Sequence, residues 1–268
     1  MDYRRIIPCL DTKGGGLVKG VNFVDLKEIG DPAEAAAAYS AAGADELILL
    51  DITATAEKRR ATLDVLRRVA AVITVPLTAG GGVRSCKDIE DLLAAGADRV
   101  SIGTAAILNP TLVLEAAEEF GPECITVAID ARPSAKMPSG FEVMVHGGHK
   151  ATGRDAVEWA DQVEDLGAGC IVATRMDADG TLGGYDIGFT RAIADAVSAA
   201  VVASGGAGKL EHLYDAIVEG RADAVLVASI AHFKKFTIRQ MKQYLAGHGV
   251  PVRLQRHAPP RYAAPSQQ

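Results

Sequence analysis

The chain has 268 residues, 49% of them apolar and 23% charged, which is enough apolar material for a sizeable core. Lys and Arg number 28 against 34 Asp and Glu, a net charge of −6 with no basic stripe, so nucleic acid finds no electrostatic footprint. No apolar run reaches a membrane span and "MDYRRIIP" lacks the apolar core of a signal peptide; the expectation is a cytoplasmic protein that binds anions through local groups.

"RIIPCLD" (5–11) reads as a buried strand ending on Asp11, and "TKGGGLVKGVNF" behind it as a glycine-loosened loop carrying Lys13 and Lys19. Asp31-Pro32 opens a helix that ends at "AAGAD" and passes into "ELILLD", the second strand. "VPLTAGGG" (75–82) is the third strand, Ser85 caps "CKDIEDLL", and "AAGADRVSIG" (94–103) supplies the fourth. "CITVAID" (124–130) ends on Asp130. "HGGH" (146–149) offers two imidazoles with no acidic or thiol ligand at a fitting spacing, so a solvated turn is expected there and no metal. Thr152 is the expected cap of "GRDAVEWADQVEDL"; "DLGAGCIVAT", "AAVVASGGAG" and "VEGRADAVLVA" are the last three strands, and Thr237 caps "IRQMKQYL". "HAPPRYAAPSQQ" (257–268) has no periodicity and reads as a disordered tail, leaving 1–256 as one domain. The four cysteines show no CxxC spacing, as expected of reduced core thiols.

Four of these segments are one unit rewritten. Gly43, Gly96, Gly167 and Gly220 stand where a helix end needs positive φ, each just before a run too short and too apolar for anything but a strand buried on both faces. The first two glycines are 53 residues apart, and so are the last two, which marks two similar halves. Eight alternating strand and helix units predict a (β/α)8 barrel with an internal two-fold repeat. Such barrels carry their chemistry at the C-terminal strand ends.

Asp11 and Asp130 hold matching places in the two halves. A lone aspartate at a strand end caps a turn, but a symmetric pair facing across one mouth suits paired proton transfer. "TAGGG" and "ASGGAGK" also match, each with uncovered amides before a helix and a hydroxyl, Thr104 or Ser229, on the following strand end. Read alone they are tight turns; read as a pair they fit a substrate with a phosphate at each end.

"RIIPCLD", "VKGVNF", "DELILLDITAT", "PLTAGGGVRS", "VSIGTAAI", "VAIDA", "HGGHKATG", "MDADGTLGGYD" and "ASGGAGKLEH" together resemble the cyclase subunit family of imidazole glycerol phosphate synthase, over residues 3–254. The resemblance implies a cofactor-free enzyme that takes ammonia from a glutaminase partner docked on the N-terminal face of the barrel. Its substrate is a phosphoribulosyl formimino aminoimidazole carboxamide ribonucleotide, and its products are imidazole glycerol phosphate and aminoimidazole carboxamide ribotide. Asp11 and Asp130 become the acid/base pair. Gly82 and Thr104 hold one phosphate, and Gly205, Gly206 and Ser229 the other. Thr174, Asp179, Gly180, Ser204 and Ala228 line the mouth, and Lys19 lies on the loop after the first strand.

The chain departs from the family pattern at Gly14 and Gly16, where Asp and Arg are usual, and at Arg175, where a smaller residue is usual. In the family's ammonia gate, Arg5 and Glu46 match, Arg99 replaces a lysine, and Cys170 replaces a glutamate, so the ring is one carboxylate short. Two other readings stay open on this ground. One is a paralogue that channels ammonia to another phosphorylated or nucleotide-linked sugar. The other is a non-catalytic subunit that only activates a glutaminase, though such a scaffold needs neither Asp11 nor Asp130.

Overall fold

The structure is a computed structural model describing residues 3–21, 24–52 and 59–254; the tail 257–268 lies outside these, as do residues 53–55 of the "DITAT" motif. In chain order the strands are β1 (Arg5–Lys13), β2 (Gly16–Val21), β3 (Val24–Gly30), β4 (Leu47–Asp51), β5 (Leu77–Gly80), β6 (Arg99–Ile102), β7 (Ile125–Pro133), β8 (Phe141–Val145), β9 (Lys150–Asp155), β10 (Cys170–Arg175), β11 (Ala200–Ser204) and β12 (Ala224–Val227). The helices are α1 (Pro32–Ala41), α2 (Arg59–Ala70), α3 (Cys86–Ala94), α4 (Thr104–Leu108), α5 (Thr111–Phe120), α6 (Ala156–Asp165), α7 (Ile187–Ala196), α8 (Leu210–Val218), α9 (Ser229–His232) and α10 (Ile238–Gly247).

Parallel pairing runs β10-β11-β12-β1-β4-β5-β6-β7, and β7 pairs back onto β10 from Thr126↔Cys170 to Ala131↔Arg175. That last pairing closes the ring, so the predicted (β/α)8 barrel is what forms. β1 and β7 stand four strands apart around the ring, on opposite sides of its mouth. Each of the two is followed by an antiparallel ribbon, β2–β3 after β1 and β8–β9 after β7. The two halves therefore repeat in their excursions as well as in their strands.

Local sequence explains most of the boundaries. Asp31 accepts from the amides of Ala33 and Glu34 ahead of Pro32, Ser85 accepts from Asp88, and Thr237 forms a reciprocal capping box with Gln240. Three expectations are corrected. Thr152 lies inside β9, and the cap of α6 is Asp155, which accepts from Val157 and Glu158. Gly43, Gly96 and Gly167 have φ of 91°, 107° and 97°, but Gly220 is not in the left-handed region and Arg221 takes that role at 58°. Gly220 is instead required by close packing, since a Cβ there would lie 2.6 Å from the Ala216 carbonyl. The third correction is the "KGGG" stretch, which is no loose loop. Gly14 and Gly15, at φ 59° and 94°, are the centre of a two-residue hairpin turn between Lys13 and Gly16.

The N-terminal end of the barrel is sealed by a repeated device. In three of the four repeated units the turn ends on an aspartate, which exchanges two hydrogen bonds with the first residues of a neighbouring strand. The Ile6 amide donates to Asp45 Oδ2 at 2.9 Å, Leu77 to Asp98 at 2.9 Å, and Val201 to Asp223 at 3.0 Å. The aspartate amides return bonds to the carbonyls of the same three residues. In the fourth unit Gly169 stands in the aspartate's place, and only its amide bonds back, to Ile125 O at 3.1 Å. Asp98 is 7% exposed, so Asp98→Ala strands the Leu77 amide away from water. The expected cost is about 1–3 kcal/mol in urea unfolding, with an unchanged m-value; no loss of stability would show that the aspartate side chains do not seal the barrel.

Candidate active site

Because side chains alternate across a strand, one face of each barrel strand points to the axis. On β1 that face carries Arg5, Ile7, Cys9 and Asp11 in ascending order. Ile7, Cys9, Ile48, Val172, Val202, Ala224 and Leu226 pack together as an apolar layer inside the ring. Above it opens a cavity of about 730 Å³, whose wall includes Asp11, Lys19, Gly82, Thr104, Asp130, Thr174, Asp179, Ser204 and Ala228. These residues, from seven of the eight barrel strands and the loops after them, thus converge on one mouth. Gly180, Gly205, Gly206 and Ser229 lie one or two residues from wall residues and are not part of that wall. The reason is visible at Gly206: the Gly184 amide donates to its carbonyl at 2.8 Å, so the loop of residues 176–186 covers that turn.

Lys19 organises the charges. It comes from β2, is 6% exposed, and places Nζ 3.3 Å from Asp11 Oδ2 and 3.5 Å from Asp179 Oδ2. Burial pulls its pKa down, but Asp11 and Asp179 overcome that, and it stays above the ordinary lysine value. Asp179 is itself raised above the ordinary aspartate value, by burial first, with Lys19 opposing and Asp11 adding to the rise. The Cys9 thiol lies 3.5 Å from Asp11 Oδ1, and burial followed by the Asp11 charge pushes it well up, so it stays protonated.

Asp130 is placed differently. It pairs in register with Thr174 of β10, and its side chain faces the cavity, so it keeps some accessible surface although protein atoms surround it on the other sides. Burial, reinforced by the negative charge of Asp179, lifts its pKa to about 7. The two symmetric aspartates therefore differ in state: Asp11 holds a cation and Asp130 holds a proton near neutral pH.

The two glycine turns match in detail. A Cβ on Gly81 would lie 2.1 Å from the Asp51 carbonyl at the end of β4, and one on Gly205 would lie 2.8 Å from the Arg175 carbonyl at the end of β10. Both turns need glycine because each packs on the end of the preceding barrel strand. Thr104 and Ser229 each begin a short helix, α4 and α9, after a residue of similar unusual backbone, Gly103 at φ −108°, ψ −107° and Ala228 at φ −131°, ψ −83°. The Thr104 hydroxyl accepts from the His146 amide at 2.9 Å, which ties the β8–β9 ribbon to the first turn.

Arg5, Glu46, Arg99 and Cys170 gather at the opposite end of the axis. Glu46 splits its carboxylate, with one oxygen 2.6 Å from Arg5 and the other 2.7 Å from Arg99. Arg99 also donates to the Glu123 carbonyl at 3.1 Å. Burial lifts the Cys170 thiol to about 11, with Arg5 and Arg99 opposing and Glu46 adding to the rise.

Some of the wall escapes motif reading. Cys9 was recoverable from the period of two that places it on the face of Asp11. Arg84, His146 and His149 also line the cavity; "HGGH" read as a solvated turn, and only the folded β8–β9 ribbon brings its imidazoles to the mouth. Among the described residues no group of three or more His, Cys, Asp or Glu could hold a metal ion, and no helix is long and apolar enough to cross a membrane.

Barrel and mouth together define a two-fold (β/α)8 protein with its candidate site at the C-terminal rim. A family model described as histidine biosynthesis protein matches residues 5–237, and the chain belongs to that family. Membership makes it a histidine-biosynthesis barrel enzyme at the level the family defines.

The folded pKa of about 7 for Asp130 lies above the ordinary carboxylate value of 3.8. Between these values the folded protein keeps a proton that the unfolded chain has lost, so stability falls as pH rises through the window. Asp130→Asn removes that loss. Its stability gain over the parent should be larger at pH 8 than at pH 5 in denaturant unfolding; an equal gain at both pH values would exclude a protonated Asp130.

Proposed function

We propose that this chain is the cyclase subunit of an imidazole glycerol phosphate synthase, working on ammonia delivered by a glutaminase partner. Ammonia adds to the carbonyl of the phosphoribulosyl arm and water leaves. The carbon–nitrogen bond to the aminoimidazole carboxamide then breaks, releasing that ribotide, while the remaining atoms close into imidazole glycerol phosphate. Each step moves protons on and off nitrogen or oxygen. A donor and an acceptor on opposite sides of the substrate serve this, and the observation that carries the reading is the unequal carboxylate pair. Asp130, protonated near pH 7, is the general acid; Asp11, ion-paired with Lys19, is the base.

Two further features support it. The turn at Gly82 and Thr104 opens onto the cavity and suits one phosphate of such a substrate, and Ser204 and Ala228, which flank the matched turn at Gly205–Gly206 and Ser229, carry the wall toward a place for the second. The cavity reaches down to Ile48 and Leu226, and Ile48 is one inward position above Glu46, so little apolar depth separates the charged ring from the mouth. That geometry fits a small neutral nucleophile entering from the N-terminal face. The departure at Cys170 keeps a second reading in view, a paralogue that channels ammonia to another phosphorylated sugar.

The deciding experiment supplies the purified protein with ammonium salt and the phosphoribulosyl substrate and measures release of aminoimidazole carboxamide ribotide. Turnover is expected, and Asp11→Asn and Asp130→Asn should each lower kcat by about 10²–10⁴-fold with substrate affinity nearly kept. A parent protein that releases no ribotide rejects the cyclase reading in favour of the paralogue.

With the glutaminase partner present, Glu46→Ala should depress glutamine-dependent synthesis more than ammonium-dependent synthesis, because free ammonia also enters through the open mouth. Equal depression of both would make the ring purely structural.

A further inference from the structure

Arg175 ends β10, where the loop of residues 176–186 leaves the rim. Its guanidinium is used up within that loop. Nε and Nη2 take the two oxygens of Asp177 as a fork, the Nη2 bond measuring 2.8 Å, and Nη1 takes Asp186. Asp177 is the second residue of the loop and Asp186 the last. The other oxygen of Asp186 accepts from the Phe189 amide at 2.9 Å and so caps α7. Arg175 therefore ties the loop's entry to its exit.

The loop has reason to need a tie. Met176 and Tyr185 are buried at its two ends, but between them Thr181, Leu182 and Gly183 are exposed, and the buried side chain is a carboxylate, Asp179. A loop that buries charge in place of apolar surface gains little from the hydrophobic effect and must be held by polar bonds. Beside the fork, the Ala178 amide donates to Arg175 O at 3.2 Å and Thr181 to Ala178 O at 3.1 Å, which fixes the turn on either side of Asp179.

We infer that Arg175 is a positioning residue, whose forked bridge to Asp177 and Asp186 holds the 176–186 loop so that Asp179 stays on Lys19 and the Asp11–Lys19–Asp179 chain remains assembled. This rests on the acid/base reading of the mouth and extends it to a residue that does not line the cavity. A lysine cannot make the fork, so charge alone does not perform the task.

The test measures ammonium-dependent kinetics for Arg175→Ser, Arg175→Lys, Asp177→Asn and the Arg175→Ser/Asp177→Asn double variant. Arg175→Ser should lower kcat by about 10–100-fold, the scale of a small misplacement of a reacting group, with KM changed less than about threefold. Arg175→Lys should not restore kcat. Asp177→Asn should lower kcat too, and the double variant should be no worse than the poorer single one. A raised KM with intact kcat, rescue by lysine, or additive losses would each overturn the inference. Crystal structures of the parent and of Arg175→Ser decide it without turnover: Asp179 is expected to leave Lys19 in the variant, and Asp179 still in place there would overturn it even if the parent proves to have another substrate.

Discussion

All eight barrel strands run one way around a closed ring, and that closure through β7 and β10 fixes the height of every inward side chain. Along β1 the pleat places Arg5, Ile7, Cys9 and Asp11 in ascending order, and the neighbouring strands repeat the scheme with Glu46 below Ile48 and Cys170 below Val172. Charge therefore lies at both ends of the axis with an apolar layer between. The outer helices act on the mouth by setting the strand ends at the rim, while the ribbons and the 176–186 loop add side chains to it directly.

Two-fold symmetry alone would give Asp11 and Asp130 the same surroundings, whereas the proposed reading asks one to give a proton and the other to take one. The excursions break the tie. The ribbon after β1 brings an ammonium, Lys19, to within 3.3 Å of Asp11, whereas the ribbon after β7 brings His146 and His149 to the rim near Thr104. Asp130 is left with desolvation and the repulsion of Asp179, both of which favour its neutral form. Asp179 thus acts on both sides, as partner to the Lys19 cation and as a charge that adds to burial in favouring the neutral form of Asp130.

The barrel was legible because its signals are local and repeated: a helix end, a glycine turn and a doubly buried strand, written four times with matched spacing. The mouth was legible at Asp11, Asp130 and the two glycine turns for the same reason, since position in the repeat carries the meaning. What could not be read depends on contacts distant in sequence. "KGGG" signals a turn, yet only the pairing of Thr12 with Leu17 shows that it is a hairpin, and only the folded ribbon shows Lys19 buried on two carboxylates. Thr152 and Asp155 are equally good caps on paper; the antiparallel pairing of β9 with β8 draws Thr152 into a strand and leaves the cap to Asp155. Arg175 looked like an oddity at the rim, and its meaning lies in Asp186, eleven residues on.

The ring at the N-terminal end obeys a harder electrostatic constraint than the mouth. Two guanidiniums face one carboxylate, and the residue that could have balanced them is a thiol kept neutral by its own burial. Glu46 meets this by giving one oxygen to each arginine, and a backbone carbonyl, that of Glu123, accepts from Arg99 where a further acceptor is wanted. The ring is left with one positive charge in excess. On the proposed reading such a ring opposes the passage of ammonium, a cation, while doing little to neutral ammonia. Selection by charge then falls to the arginines, and replacing a glutamate with Cys170 strengthens the barrier to the ion without closing the way to the base.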